Sequence, residues 1–503
     1  MTNSNIYNGG GESHNLVKSH YKKSLFTLIK STKRYYLGIW LIKLPFYALF
    51  SESKAKKWRE KRRIRYENLQ IAKKQFKAIR TLSPQIKDWT KLSEFKDKYA
   101  NHPYPPLLNP QNIDYESIPA DLAWELNLPL PPKYKFVWIV VWGCASNSLM
   151  RYFNINSNKT SPFTSDTNMN AYRLAFEFLC NTKIKHKILV IHINTDSFVG
   201  DRFLNLVSKK VPILIAVRDP LSVIKTWVNH TKPNTNRIKE FNLTFDYHKV
   251  LDCIVYEWDK EPSMETNEVH WCAKNFSFAQ AKYLTHFKKN KKILVSVEDL
   301  SASKAYQTMQ KLSVELNFEL SKNPRDYTDK KNTSTFHNIF PFVLKAHSSD
   351  LPKVYKNVEI KNESSLSDKN SIEIIITDGI RDWLRENKDF ELLKDIESQK
   401  VYFYIAKKDT KKLYNNKELF KATKEYLQGF LVALDERIEL EAKKQLTEKD
   451  ILEYFANNKE KRQEYKAVFD KNLAFIKELR PDIVKSWKYY NEFEKMCVEL
   501  DKS

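Results

Sequence analysis

Four short apolar runs, separated by stretches with helical spacing, are the feature of this sequence that most restricts its fold. The runs are KFVWIVVW (135–142), KILVIHI (187–193), PILIAVR (212–218) and KKILVSVE (291–298). Nearly continuous Val, Ile and Leu runs of this length are typical of strands buried on both faces. Helix-like stretches lie between them, so the order is β-α-β-α, which predicts an α/β fold with a mostly parallel sheet flanked by helices.

Changes of composition along the 503 residues predict five segments. They are a basic, membrane-surface helical segment (1–85), a Pro-rich linker (86–132), a catalytic core (133–325), an irregular or mixed extension of that core (326–410) and a helical C-terminal region (411–503). Within the extension, IEIIIT (372–377) and VYFYIA (401–406) have the composition of strands. The C-terminal region is charged and amphipathic, which favours helices.

Most of the net positive charge lies near the N-terminus. The net charge is +24, and residues 17–80 contain 19 Lys and Arg against three Glu. They surround an apolar, aromatic run at 35–50, which is interrupted by Lys43 and Pro45 and is shorter than the roughly 20 residues that a membrane span needs. Each cation near anionic lipid adds about 1 kcal/mol. We therefore expect a cytoplasmic protein that binds the inner face of the cell membrane peripherally through residues 17–80.

Other interpretations of this basic segment remain open. Residues 53–80 could form a solvated helix whose charges only keep the protein soluble. Nucleic-acid binding is disfavoured, because no recognised nucleic-acid motif accompanies the Lys and Arg residues. Residues 1–16 are polar and do not fit a secretory signal. The five cysteines are scattered and lack CxxC spacing, which favours a reducing cytoplasm over a disulfide scaffold or a zinc cluster.

Polar residues follow the first apolar run, at the position where open α/β sheets bind ligands. Gly143 permits a tight turn, and we expect Ser146 to cap the next helix. The free N–H groups of that helix, with Ser146, Asn147 and Ser148, could then cradle a phosphate. The loop contains no Lys and is not a Walker A sequence, so Arg151, one turn into the helix, is the nearest cation. An ordinary capped turn is the alternative.

The third run ends at Arg218, directly before a predicted helix. Asp219 and Pro220 suit the cap and the first residue of that helix. Arg218 then stands at a strand end and Thr226 lies about two turns into the helix, so the two could grip one phosphate, since Arg forms strong charge-assisted bonds to phosphate. In the alternative, Arg218 pairs structurally with Asp219 or Glu298.

His192 lies in the second run, ILVIHINTD (188–196). A histidine within an apolar strand is commonly a core residue whose ring is satisfied by its neighbours. Beside an anion site at a strand end, however, it could accept the proton of a sugar hydroxyl, as a general base does. Its position in the fold decides between these roles.

Residues 135–320 resemble the sulfotransferase superfamily. The order of elements is similar: a strand, loop and helix for a 5′-phosphate, a strand with a histidine, the RDP sequence at 218–220, and a closing strand and helix at 291–318. The resemblance implies a P-loop-type core, with Arg218 and Thr226 at the 3′-phosphate and His192 as the catalytic base. The chain departs from the superfamily in lacking a cation in the 5′-phosphate loop and a later Arg-Lys-Gly motif.

The whole chain, with its basic lead segment and VRDPLSVIKTWVNH (217–230), resembles more closely a bacterial domain-of-unknown-function family of capsular sugar and O-methyl phosphoramidate transferases. This resemblance implies a 3′-phosphorylated nucleotide as co-substrate and a glycan as acceptor. We therefore expect a transferase that moves a phosphoramidate-type or sulfo group to a sugar hydroxyl in capsular or surface polysaccharide biosynthesis.

Two other functions compete with this hypothesis. A nucleotide-sugar glycosyltransferase would usually bring an Asp-rich metal-binding signature, which we do not find at a strand end. A non-enzymatic basic adaptor for membranes or nucleic acid would use the α/β core only as a scaffold. The histidines show no HExxH or comparable spacing, so we predict no metal site and no tightly bound cofactor.

Overall fold

The computed structural model of the protein describes residues 76–155, 158–162, 168–193, 201–328, 334–351, 371–379 and 389–501. Residues 17–75, most of the segment that we expect at the membrane surface, lie outside these described residues. In the part of the chain that is described, no helix combines the length and the apolar character needed to cross a membrane.

The helices and strands are labelled in chain order. The helices are α1 (Ser83–Lys91), α2 (Ser93–Tyr99), α3 (Ala120–Glu125), α4 (Ser146–Phe153), α5 (Asn168–Cys180), α6 (Asp201–Asn205), α7 (Pro220–Val228), α8 (Tyr247–Leu251), α9 (Asn267–Cys272), α10 (Gln280–Leu284), α11 (Ala305–Leu316), α12 (Arg325–Thr328), α13 (Lys407–Asn415), α14 (Lys417–Lys444), α15 (Glu448–Asn457), α16 (Lys459–Leu479), α17 (Pro481–Ser486) and α18 (Lys488–Leu500). The strands are β1 (Val137–Val140), β2 (Asn158–Thr160), β3 (His186–His192), β4 (Ile213–Val217), β5 (Thr231–Pro233), β6 (Glu240–Asn242), β7 (Ile254–Tyr256), β8 (Lys292–Ser296), β9 (Phe342–Ala346), β10 (Ile372–Thr377), β11 (Phe390–Leu392) and β12 (Tyr402–Ala406).

The described residues fall into two compact units. The first contains 76–133, 168–182 and 201–209. Its interior is aromatic: the Tyr172 ring lies 5.2 Å from that of Trp124, and the Tyr172 hydroxyl donates a 2.8 Å hydrogen bond to the Leu128 carbonyl. Helices α2 and α3 lie in the segment that we predicted as a Pro-rich linker.

The second unit contains a parallel sheet with the strand order β2-β3-β1-β4-β8. This confirms the predicted α/β fold. Every residue of β1 and β4 is buried, which explains why these strands are continuous apolar runs. The chain places β3 on one side of β1 and β4 on the other, so the strand order reverses beside β1. Such a reversal opens a crevice at the carboxyl ends of the strands.

Helices of the same unit flank this sheet. Phe153 of α4 packs on β1, with its ring centroid 5.4 Å from that of Trp138. Val223 of α7 lies against Gly143, directly after β1. Both helices therefore begin at the carboxyl edge of the sheet, where their first turns face the crevice.

A second sheet in the same unit has the order β11-β12-β10-β9-β6, with antiparallel neighbours except for the parallel pair β6 and β9. The segments 372–377 and 402–406 form β10 and β12, as their composition predicts. Helix α14 covers this sheet: Phe430 stacks on Phe241 with centroids 6.0 Å apart and also contacts Phe342. The sheet and α14 thus share one apolar core.

The C-terminal region is helical from Lys407 to Leu500, which confirms the prediction. Helix α15 begins with a capping box, in which Thr447 and Asp450 exchange hydrogen bonds between side chain and backbone. Pro481 is the first residue of α17, as expected of a proline at the start of a helix.

Candidate functional site

Arg218 directly follows β4 and reaches across to the loop after β1. Its Nη1 donates a hydrogen bond of 3.1 Å to the Gly143 carbonyl and one of 3.0 Å to the Thr226 hydroxyl. Its Nε and Nη2 have no hydrogen-bond partner among the described residues. Arg218 is half-buried, so these two nitrogens, which carry three N–H groups, are held in place beside the crevice at the switch point.

Thr226 lies on α7, where the sequence placed it, and is hydrogen-bonded to Arg218. Its hydroxyl also donates a 3.0 Å hydrogen bond to the Ser222 carbonyl, one turn earlier in the helix. The hydroxyl proton is therefore directed at the helix backbone, while the oxygen accepts from Arg218. In this arrangement Thr226 orients the guanidinium, and of these two residues it is Arg218 that offers donors to an anion.

Neither acidic neighbour that could pair with Arg218 does so. One oxygen of Asp219 caps α7 by accepting from the Leu221 N–H at 2.9 Å, as the sequence predicts. Its other oxygen accepts the N–H groups of Tyr489 and Tyr490 at 2.9 and 3.1 Å. Glu298 accepts a hydrogen bond from the Ser296 hydroxyl. In the described structure both carboxylates are thus bonded elsewhere.

The loop after β1 differs from the prediction in one respect. Gly143 has φ +79°, so a tight turn is present at the residue that the sequence indicated. The N-cap of α4, however, is Ala145 with φ +53°, and Ser146 is the first helical residue rather than the cap. Because Ala145 has no polar side chain, none of the described side chains caps α4, and its first N–H groups remain available to a ligand.

The other predicted loop residues lie on the first turns of α4. Ser146 and Ser148 are half-buried and Asn147 is exposed. Arg151 lies over the ring of Tyr152, with its guanidinium carbon 5.2 Å from the ring centroid. The neighbouring thiol of Cys144 is buried, which raises its pKa to about 12 and keeps it protonated.

His192 is the last residue of β3 and pairs with Val140 of β1. Adjacent strands lie about 4.8 Å apart, so His192 shares the carboxyl edge with the residues that follow β1 and β4. Its ring centroid lies 6.2 Å from that of Trp142. Burial lowers the pKa of His192 to about 4, so the imidazole is neutral near pH 7 and can accept a proton.

The sequence did not reveal which residues hold α7 in position. Glu448, the first residue of α15, accepts hydrogen bonds from Ser222 at 2.7 Å and from Lys225 at 2.6 Å. Asn229, directly after α7, exchanges two hydrogen bonds with the backbone of Leu446, at 2.8 and 3.0 Å. These contacts join residues more than 200 positions apart, and no local pattern signals them.

Fold and site together define an α/β protein with an arginine fork at the switch point of a parallel sheet. Residues 294–500 match a family described as "Protein of unknown function (DUF2972)". This confirms, for that part of the chain, the expected likeness to a family of unknown function. The matched region begins within β8 and includes the C-terminal helices that hold α7.

Among solved structures, the chain is similar to the crystal structure of mouse sulfotransferase SULT7A1 complexed with PAP. The two are 12% identical, the TM-score is 0.26, and the match covers 42% of this chain and 67% of that one. The comparison with curated proteins gives no significant match.

Proposed function

We propose that this protein is a transferase that moves a phosphoramidate-type or sulfo group from a 3′-phosphonucleotide to a sugar hydroxyl of a capsular or surface glycan. The observation that supports it best is the fork of Arg218. Its Nη1 is fixed by the Gly143 carbonyl and Thr226, while Nε and Nη2 are left for a doubly charged phosphate.

The remaining site residues have complementary roles in this proposal. The uncapped first turn of α4, from Ser146 to Ser148, binds the 5′-phosphate through backbone N–H groups and the positive end of the helix dipole. The Arg218 fork binds the 3′-phosphate. The nucleotide is then held at two points by its two anionic groups, which restricts the orientation of the reacting bond.

His192 acts as the general base. Its neutral imidazole accepts the proton of the sugar hydroxyl while the sugar oxygen attacks the sulfur or phosphorus atom. The bond between that atom and the nucleotide oxygen breaks, and a nucleoside 3′,5′-bisphosphate leaves. Because this displacement needs positioning and charge neutralisation more than a covalent intermediate, the few groups present suffice.

Calorimetric titration of the full chain tests the 3′-phosphate site. Adenosine and cytidine 3′,5′-bisphosphates should bind at least about tenfold more tightly than AMP and CMP, since a charge-assisted bond contributes about 1.5 to 3 kcal/mol. Arg218→Ala should remove this difference and leave the binding of the monophosphates nearly unchanged.

Arg325→Ala provides the matched control, because Arg325 is an exposed arginine of the same unit. It should bind all four nucleotides as the wild type does. Equal affinity of the wild type for nucleotides with and without the 3′-phosphate would refute the Arg218 assignment. The absence of saturable binding for any of them would favour the non-enzymatic adaptor.

The proposal includes the location of the enzyme. Residues 17–80 would hold it on the anionic inner face of the membrane by charge and by the aromatic run at 35–50. The full chain should therefore co-sediment with vesicles that contain phosphatidylserine, whereas a chain that lacks residues 1–85 should stay in the supernatant. Neither chain should co-sediment with vesicles of phosphatidylcholine alone. Equal co-sedimentation of the two chains with the anionic vesicles would contradict this location.

A further inference from the structure

We propose that an aromatic surface beside the Arg218 fork binds pyranose rings of an oligosaccharide acceptor. We call Trp142, Phe276 and Trp271 the aromatic surface. Trp142 is 36% exposed and Trp271 is 49% exposed, which is unusual for the largest side chains. The Phe276 ring joins them, with its centroid 6.3 Å from Trp142 and 5.4 Å from Trp271.

The aromatic surface is held in place by packing on a buried tryptophan and by hydrogen bonds. Trp227 is buried, and its ring stacks on Phe276 with centroids 5.8 Å apart. The Trp227 indole donates a 2.8 Å hydrogen bond to the Ser277 hydroxyl, which in turn donates one of 2.7 Å to the Trp142 carbonyl. These bonds connect the loop after β1 to the π-helical turn Ala273–Ser277. The exposed rings are thus pre-organised for a ligand, which lowers the entropic cost of binding.

The position of the aromatic surface links it to the proposed reaction. Trp142 is the neighbour of Gly143 in the chain, and Trp227 is the neighbour of Thr226. The Trp142 ring also lies close to His192, with the two ring centroids 6.2 Å apart. A ring that stacks on Trp142 would therefore present its edge to the group that accepts the hydroxyl proton in the proposed function, on which this inference rests.

The shape of the aromatic surface favours a sugar chain over a nucleobase. A pyranose has apolar C–H faces and a polar edge, so its face can cover an indole while its hydroxyls reach His192. The Phe276 ring is inclined by 48° to that of Trp142 and by 90° to that of Trp271, so the aromatic surface presents separate faces, whereas a planar base can stack on one face only. The surface thus suits two or more successive sugar units, with Trp142 at the reacting unit and Trp271 at the next.

An array of β-linked pyranose oligosaccharides, probed with the full chain and two variants, tests this proposal. The wild type should bind members of the array, and Trp271→Ala should weaken that binding about tenfold, equivalent to about 1.4 kcal/mol. Trp271→Phe, which keeps an aromatic face, should retain most of the affinity. Tyr414→Ala removes a ring of similar exposure, 40%, outside the aromatic surface, and should bind as the wild type does.

Nucleotide titration of the same variants separates this proposal from the proposed function. Trp271→Ala should bind adenosine and cytidine 3′,5′-bisphosphate as the wild type does. Binding of no oligosaccharide by the wild type, or equal binding by Trp271→Ala, would overturn the acceptor assignment. A loss of nucleotide affinity without a loss of oligosaccharide affinity would also overturn it and would indicate a base-binding surface. If no bisphosphate binds the wild type but the oligosaccharide results hold, the proposed function fails; the aromatic surface is then a sugar-binding site, and its role as an acceptor site is refuted.

Discussion

Lys225 and Glu448 form an ion pair of 2.6 Å that joins the helix of the candidate phosphate site to the C-terminal helices. The pair lies on the face of α7 that also carries Ser222, whose hydroxyl bonds to the same carboxylate. Burial opposes ionisation of this carboxylate, but the bonds from Lys225 and Ser222 hold the pKa of Glu448 below its ordinary value. The C-terminal region thereby fixes the helix on which Thr226 orients Arg218.

Glu448→Ala should weaken nucleotide binding although Glu448 touches no predicted nucleotide-binding residue. Loss of one partly buried charged contact costs about 1 kcal/mol, so we expect roughly fivefold weaker binding of adenosine 3′,5′-bisphosphate. The affinity for AMP should change less, because only the 3′-phosphate depends on α7. Calorimetry measures both, and Glu448→Gln, which keeps the bond from Ser222, should recover part of the loss.

Glu453→Ala is the control for this prediction, since Glu453 is an exposed residue on the same helix, α15. It should leave both affinities unchanged. An equal loss of affinity for AMP and for the bisphosphate in Glu448→Ala would indicate a general loss of structure instead of a positioning role.

Gly143→Ala should destabilise the second unit. A φ of +79° costs a residue with a Cβ about 1–2 kcal/mol, and the added Cβ would lie 3.2 Å from Cγ1 of Val223. Gly379→Ala is the matched comparison, because a Cβ there meets nothing within 4 Å and should be neutral or slightly stabilising. Urea unfolding of both variants measures the difference, and equal midpoints would show that the turn tolerates a side chain.

The sequence revealed the central sheet because its signals are local. Strands β1 and β4 are buried on both faces and therefore appear as continuous apolar runs. The cap of α7 is equally local, since Asp219 and Pro220 stand next to the helix that they begin. From these two signals the position of Arg218 at the carboxyl edge follows directly.

Features that depend on distant contacts could not be predicted in this way. The edge strand β2 is the polar segment Asn158–Thr160, which has no apolar run to mark it. The parallel pairing of β6 with β9 joins segments about 100 residues apart. Ser146 has a favourable side chain for an N-cap, but the positive φ of Ala145 moves the start of α4 one residue earlier than a Ser146 cap allows.

The pH dependence of turnover should identify His192 as the base. Its neutral form is the active one, and burial lowers its pKa to about 4 from an ordinary 6.5. Activity should therefore persist as the pH falls through 6.5 and decline only as it approaches about 4. The measurement is kcat/KM for the acceptor sugar against pH, with the 3′-phosphonucleotide donor at a saturating concentration and circular dichroism at each pH to confirm folding. An acidic limb near 6.5 would contradict this role.

His192→Gln extends this test. Removing a general base typically lowers turnover by about 10²–10⁴, while donor affinity should stay within about twofold of the wild type. His230→Gln is the control. Burial also lowers the pKa of His230, but His230 lies two residues after the end of α7 and not at the end of β3. An equal loss of turnover in the two variants would remove the special role of His192.

Arg462→Ala should destabilise the C-terminal helices far more than Arg480→Ala. Both arginines form two hydrogen bonds to one carboxylate, Arg462 to Asp501 and Arg480 to Asp482. The Arg462 side chain is 4% exposed and also donates to the carbonyls of Phe455 and Ala456 at the end of α15, at 2.7 and 3.0 Å. Arg480 is 41% exposed and also donates to one carbonyl, that of Leu294, at the longer distance of 3.3 Å. Removal of Arg462 leaves the buried Phe455 carbonyl and the Asp501 carboxylate without these bonds, which should cost about 3 kcal/mol. Thermal unfolding of the two variants compares them, and similar melting temperatures would show that burial adds nothing to the Arg462 contact.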